Sequence, residues 1–217
     1  MSDVEHRCRI VLIAPDMPED DEARRAVGDA LRGGDVASVI VPQYGQDERA
    51  FQKRAEALVP VIQDGGAAAL IAGDTRVAAR SRADGLHIAG GLDAVAEAME
   101  RFTPDMIVGG GRAKDRHSAL ELGELRPDYI FLGKLEGDIK PDPHPKNLEL
   151  GQWWASMVEI PCMIMGGQSI GSVVAVAGSG AEFVALRGAV FADPGKAAMA
   201  VAEANALLDE KAPRFED

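Results

Sequence analysis

The feature that most constrains this chain is a two-beat rhythm: a short apolar run followed by a longer Ala-rich amphipathic stretch, repeated eight times. Runs this short and this continuously apolar suit parallel strands buried on both faces, and the stretches between them suit the helices that cover such a sheet. The predicted strands are Ile10 to Ala14, Val36 to Val41, Ala68 to Ala72, Gly85 to Ile88, Met106 to Val108, Tyr129 to Leu132, Pro161 to Met165 and Phe183 to Leu186. The predicted helices are Asp20 to Leu31, Asp47 to Gln63, Thr75 to Ser81, Leu92 to Arg101, Ser118 to Leu122, Ile170 to Ala177 and Pro194 to Leu208. Lys134 to Asn147 is the longest irregular segment. Eight units in 217 residues fit a closed (β/α)8 TIM barrel better than an open doubly wound sheet, which uses about five or six strands. No composition shift marks a boundary, so residues 1–217 are expected to form one domain, with the charged tail 211–217 frayed.

Composition narrows the partners. The formal net charge is −12, with 35 acidic against 23 basic residues, so nucleic acid would meet a repulsive field. No apolar run approaches the ~20 residues that span a bilayer, which implies no membrane partner and a cytoplasmic protein. Cys8 and Cys162 form no metal-like spacing and read as reduced structural thiols. Trp153 and Trp154, placed at a helix start, are candidates either for a homodimer contact or for packing within the barrel.

In a barrel of this kind the reactive face is built from the loops that follow the strands. Gly166-Gly167-Gln168 follows strand seven, and Arg187-Gly188 follows strand eight. Glycines there let the backbone approach an anion, and the loops after the last two strands are the usual phosphate cradle, although paired glycines equally suit plain tight turns; Arg187 suits either a bidentate clamp on the anion or an ion pair with a surface carboxylate. Asp74, after strand three, suits a Mg2+ ligand bridging to substrate phosphate; it equally suits the N-cap of the helix that starts at Thr75. His87 lies within strand four and reads as a core histidine. Lys134 and Lys140 lie in the long loop after strand six, where a lysine either neutralises a leaving pyrophosphate or is simply solvated.

Three stretches carry a family resemblance. Ala83-Asp84-Gly85-Leu86-His87-Ile88, Pro127-Asp128-Tyr129-Ile130-Phe131-Leu132-Gly133 and Ile160-Pro161-Cys162-Met163-Ile164-Met165-Gly166-Gly167 occur in the order and spacing of the thiamine phosphate synthase family, which includes the related thiazole tautomerases. The chain resembles that family over nearly its whole length, as a divergent member. The resemblance implies a transferase of thiamine biosynthesis that joins hydroxymethylpyrimidine diphosphate to a thiazole phosphate with magnesium. It places Asp74 at the metal, with Asp93 as the nearest candidate for a second metal carboxylate, Lys140 at the diphosphate, and Gly166 and Gly167 at the thiazole phosphate.

Several family positions are altered. Gly73 replaces the Asn before the metal carboxylate, and the second metal Asp falls at Leu92, with Asp93 one place along. The basic diphosphate cluster of strand two is missing around Gln43; Gly111 replaces a serine of strand five, with Arg112 and Lys114 close behind. Arg187 replaces the serine after strand eight, and Lys134 stands where a tautomerase carries its histidine. Three readings remain open: a synthase-type transferase whose positive groups come from new loops; a barrel that binds a phosphorylated thiazole or pyrimidine without chemistry; and an isomerase or lyase on another phosphorylated heterocycle, with Lys134 or Lys140 as acid or base. All three take a phosphorylated small molecule.

Overall fold

The computed structural model describes residues 6–215. Eight strands pair in parallel, each with the next in sequence, and the eighth returns to the first, which closes the barrel. They are β1 (Arg9–Ile13), β2 (Ser38–Pro42), β3 (Ala68–Ala72), β4 (Gly85–Ile88), β5 (Ile107–Gly110), β6 (Tyr129–Leu132), β7 (Cys162–Met165) and β8 (Phe183–Leu186). Closure is seen in the register that sets Ile10 beside Val184 and Leu12 beside Leu186. The first five helices are α1 (Asp20–Leu31), α2 (Glu48–Asp64), α3 (Thr75–Ser81), α4 (Leu92–Phe102) and α5 (Arg116–Glu124). The others are α6 (Pro145–Met157), α7 (Ser172–Gly178), α8 (Gly188–Phe191) and α9 (Ala197–Lys211), the last preceded by a 3-10 turn at Pro194–Lys196.

Local chemistry explains most of the boundaries and three departures from expectation. Asp47 caps α2 by accepting the Ala50 N–H, and Asp115 with Ser118 forms a capping box that starts α5 two residues before the predicted Ser118. The segment predicted to be irregular to Asn147 turns into α6 at Pro145, with His144 as its cap and the proline at the first turn. Trp153 and Trp154 therefore lie near the end of a helix, not at its start. Trp154 is buried and donates its indole N–H to the Ile160 carbonyl at 2.7 Å, so it packs within the barrel shell; Trp153 lies under the Arg116 guanidinium at 5.0 Å. Of the tail 211–217, Lys211 ends α9 and Arg214 forms an isolated antiparallel bridge with Arg7. Glu216 and Asp217 lie outside the described residues. Cys8 and Cys162 are free and buried, and burial pushes the Cys8 thiol up to about 12.

Two apolar layers hold the fold. The larger lies between strands and helices; the smaller fills the barrel with Val11, Ile13, Ile40, Leu70, Tyr129, Phe131 and neighbouring residues. The middle of the barrel is occupied by a pair of rings. Tyr129 fits only because β5 has glycine beside it: a Cβ at Gly109 would lie 1.9 Å from the Tyr129 ring. Its hydroxyl meets His87 Nδ1 at 3.0 Å, and the His87 ring meets Phe131 edge-on at 5.1 Å between centroids. His87 is the core histidine the sequence implied, only 2 % exposed, and burial pushes its pKa down to about 4, which keeps it neutral.

Two outcomes follow from this interior. Gly109→Ala forces the Tyr129 ring to shift and should destabilise the fold by about 1–3 kcal/mol, read as a lower urea midpoint; an unchanged midpoint contradicts the packing. The folded His87 refuses a proton that the unfolded chain accepts below its ordinary pKa of 6.5, so its contribution is present above that pH and lost as pH falls toward about 4. Between pH 7 and pH 5 the unmodified protein should lose about 2 kcal/mol more stability than His87→Asn does. Equal losses would contradict a buried neutral ring.

Candidate functional site

The C-terminal ends of the strands form the barrel mouth, and the β6–α6 loop crosses it as a strap. The strap starts at Gly133, whose φ of +134° and tight seat beside Met165, 2.7 Å from where a Cβ would stand, both require glycine. One foot is Leu135, half-buried, which borders a cavity of about 380 Å3 at the ends of β3 and β4. Gly73, His87, Ile88, Gly90 and Arg101 contribute to its wall.

The other foot is Asp138, only 2 % exposed. Its Oδ1 accepts both the Arg187 Nε–H at 3.0 Å and the Nη2–H at 2.6 Å, while Oδ2 accepts the Gly188 N–H at 2.6 Å. Burial alone would lower the Arg187 pKa; the Asp138 carboxylate outweighs that and raises it. Tyr44 lies beside the same guanidinium, donates its hydroxyl to the Ala14 carbonyl at 2.7 Å, and is pushed up to about 12 by burial. Past Asp138 the strap is fastened by its backbone: the Lys140 carbonyl accepts the Gln168 N–H at 2.8 Å, and the Pro141 carbonyl accepts the Ser169 N–H at 3.0 Å. A Cβ at Gly167 would lie 2.0 Å from the Pro141 oxygen, so glycine there lets the strap approach.

The Gly166, Gly167, Gln168 and Gly188 amides of the expected anion cradle therefore each have an acceptor within the chain. Gly166 N–H donates to Ala185 O at 2.9 Å, and Gly167 N–H donates to Ser172 Oγ at 3.1 Å. Lys134 and Lys140 lie on the strap with exposed side chains. Gly111 is buried against the His87 ring, 3.4 Å from Nε2 to its ideal Cβ position, whereas Arg112 is exposed at a left-handed φ of 71°. Gln43 ties the mouth together: its Oε1 accepts the Asp74 N–H at 3.1 Å and its Nε2 donates to Gln46 O at 2.8 Å.

A magnesium ion finds no ready site here. Asp74 caps α3 by accepting the Arg76 N–H, and the Arg76 guanidinium takes both of its carboxylate oxygens, at 3.1 and 2.6 Å. Those bonds hold the Asp74 carboxyl down to about 2, with the side-chain bond from Arg76 as the leading cause. Asp93 is exposed in the first turn of α4. Among the described residues no three His, Cys, Asp or Glu side chains gather as a metal site. With both Asp74 oxygens taken by Arg76, that carboxylate is not free to hold the ion in this arrangement.

Sequence reasoning missed Asp138, the most deeply buried carboxylate of the mouth. Nothing within the segment 134–140 marks it out, because its partners are some fifty residues away, at separations of 49 and 50 positions. It also missed the cavity wall contributed by α4, since Arg101 reads as an ordinary charge at a helix end.

Comparison with known proteins agrees with this architecture. Residues 10–190 match the family model for thiamine monophosphate synthase. The chain is 30 % identical over 202 residues to the thiamine-phosphate synthase of Rhodospirillum centenum, covering 93 % of this chain and 98 % of that one. It is 31 % identical over 212 residues to the thiamine-phosphate synthase of Hyphomonas neptunium, covering 95 % and 96 %. Among solved structures, a thiamine phosphate pyrophosphorylase from Pyrococcus furiosus superposes with a TM-score of 0.77 at 20 % identity, covering 95 % and 98 %, which attests the fold. The closed eight-stranded barrel and the match over most of its length place the chain in the thiamine monophosphate synthase family.

Proposed function

We propose that the chain is a synthase-type transferase that binds a thiazole phosphate at the β7/β8 corner and joins it to hydroxymethylpyrimidine diphosphate. The observation that carries this reading is the convergence of three N–H donors, two from Arg187 and one from Gly188, on a single oxyanion. Donors so arranged suit one edge of a phosphate group as well as they suit a carboxylate. The cavity at β3 and β4, bordered by the neutral His87 ring, has the size and partly apolar wall that suit a flat heterocycle.

In this reading the chemistry is dissociative: pyrophosphate departs from the pyrimidine methylene, and the thiazole nitrogen captures the resulting cation. The protein then has to position the two partners and stabilise the departing charge. Lys134 and Lys140, exposed on the strap over the mouth, supply positive charge to that leaving group. Arg187 and Gly188 hold the nucleophile by its phosphate. A second reading has a specific observation in its favour. With both Asp74 oxygens engaged by Arg76 and so unavailable to a metal, the barrel would bind a phosphorylated heterocycle without turning it over.

One assay separates them. Purified protein with both phosphorylated precursors and magnesium is expected to form thiamine phosphate, and Arg187→Met to lower kcat/KM by about 100-fold. Saturable binding of the thiazole phosphate without product would retire the first reading in favour of the second.

A further inference from the structure

The strap is fastened differently from the rest of the fold. Between Lys134 and Asp142, Leu135 is the one side chain that packs against the barrel interior; Ile139, next to Asp138, is 75 % exposed. What holds the segment from Asp138 to Pro141 is polar: three N–H bonds onto the carboxylate and two onto backbone carbonyls. Hydrogen bonds of this kind exchange for equivalent bonds to another acceptor at little net cost, whereas apolar burial has no such substitute.

The donors also belong to one short stretch. Arg187 and Gly188 are adjacent, and both point at the same carboxylate. That carboxylate carries one charge, which the guanidinium balances. A phosphate ester arriving while Asp138 stays in place would bring a second anion beside the first, with one guanidinium to share, in a half-buried setting where like charges repel strongly. The two anions compete for one donor set.

We propose that Asp138 is a specificity-determining residue, a built-in competitor for the oxyanion donors of Arg187 and Gly188, so that a phosphate ester binds by displacing Asp138 and releasing the strap. This rests on the reading that the corner takes a phosphate ester. The exchange favours doubly charged phosphate esters over free carboxylates. A carboxylate would replace Asp138 with its own chemical equal and gain nothing, while a phosphate dianion strengthens every bond to the guanidinium. Opening at Asp138 also loosens the Leu135 foot, because only Glu136 and Gly137 separate the two in the chain; the β3/β4 cavity and the corner then open together.

Calorimetric titration with inorganic phosphate tests this on the full chain and on Asp138→Asn. The variant keeps an acceptor for Gly188 but removes the competing charge, and should bind phosphate about tenfold more tightly or better. Equal or weaker binding by the variant, while Arg187→Met abolishes binding, overturns the proposal and leaves the corner reading intact. No phosphate binding by either protein overturns both. Should Asp138→Asn fail to fold, hydrogen exchange on the unmodified protein decides: saturating phosphate should speed exchange across 134–144, and unchanged protection there contradicts displacement.

Discussion

A buried carboxylate with all of its partners on one loop organises the mouth of this barrel. Asp138 reaches from the β6–α6 strap to Arg187 and Gly188, and in doing so pins together the two sides of the opening. Breaking such a pair by removing one member typically costs about 3–5 kcal/mol, because the charge left behind stays desolvated. Exchanging one anion for another avoids that cost. The same contact therefore closes the mouth firmly and yields to the right ligand.

The rest of the fold exists to hold that arrangement in register. Gly109 leaves room for the Tyr129 ring, the ring carries His87, and the pair fills the barrel beneath the cavity. Gly133 and Gly167 then let the strap enter and lie flat, since a Cβ at either position would collide with Met165 or with the Pro141 carbonyl. At the other end of the chain's path, Arg7 is buried against Asp209 and Asn205, so the segment entering β1 is tied to α9 at that residue. Rigid scaffold and exchangeable strap are thus made of different interactions, apolar and steric in one, polar in the other.

The barrel was legible because it depends on local pattern. Ala68 to Ala72, Gly85 to Ile88, Tyr129 to Leu132 and Phe183 to Leu186 are strands with the predicted limits, each bounded by turn residues. The α6 helix was placed too late, with its start at Trp153 and Trp154, because Lys134 to Asn147 reads as irregular, although Pro145 sits at a first turn where proline is welcome. The site was legible only in outline. Strand-end glycines and Arg187 stood out by position, but their hydrogen-bond partners did not, since Asp138 to Gly188 and Gln43 to Asp74 are pairings between separate strand-end loops that only the folded sheet brings together. Asp74 shows the same limit from the other direction: a carboxylate that suits a metal or a cap is decided by where Arg76 turns, and it turns back onto Asp74.

The most direct test of the account is a crystal structure of the unmodified protein soaked in phosphate. Phosphate should lie on the Arg187 guanidinium and the Gly188 N–H, with the Asp138 side chain withdrawn and the strap lifted. Phosphate bound elsewhere on the barrel, with Asp138 still seated on both donors, would contradict it.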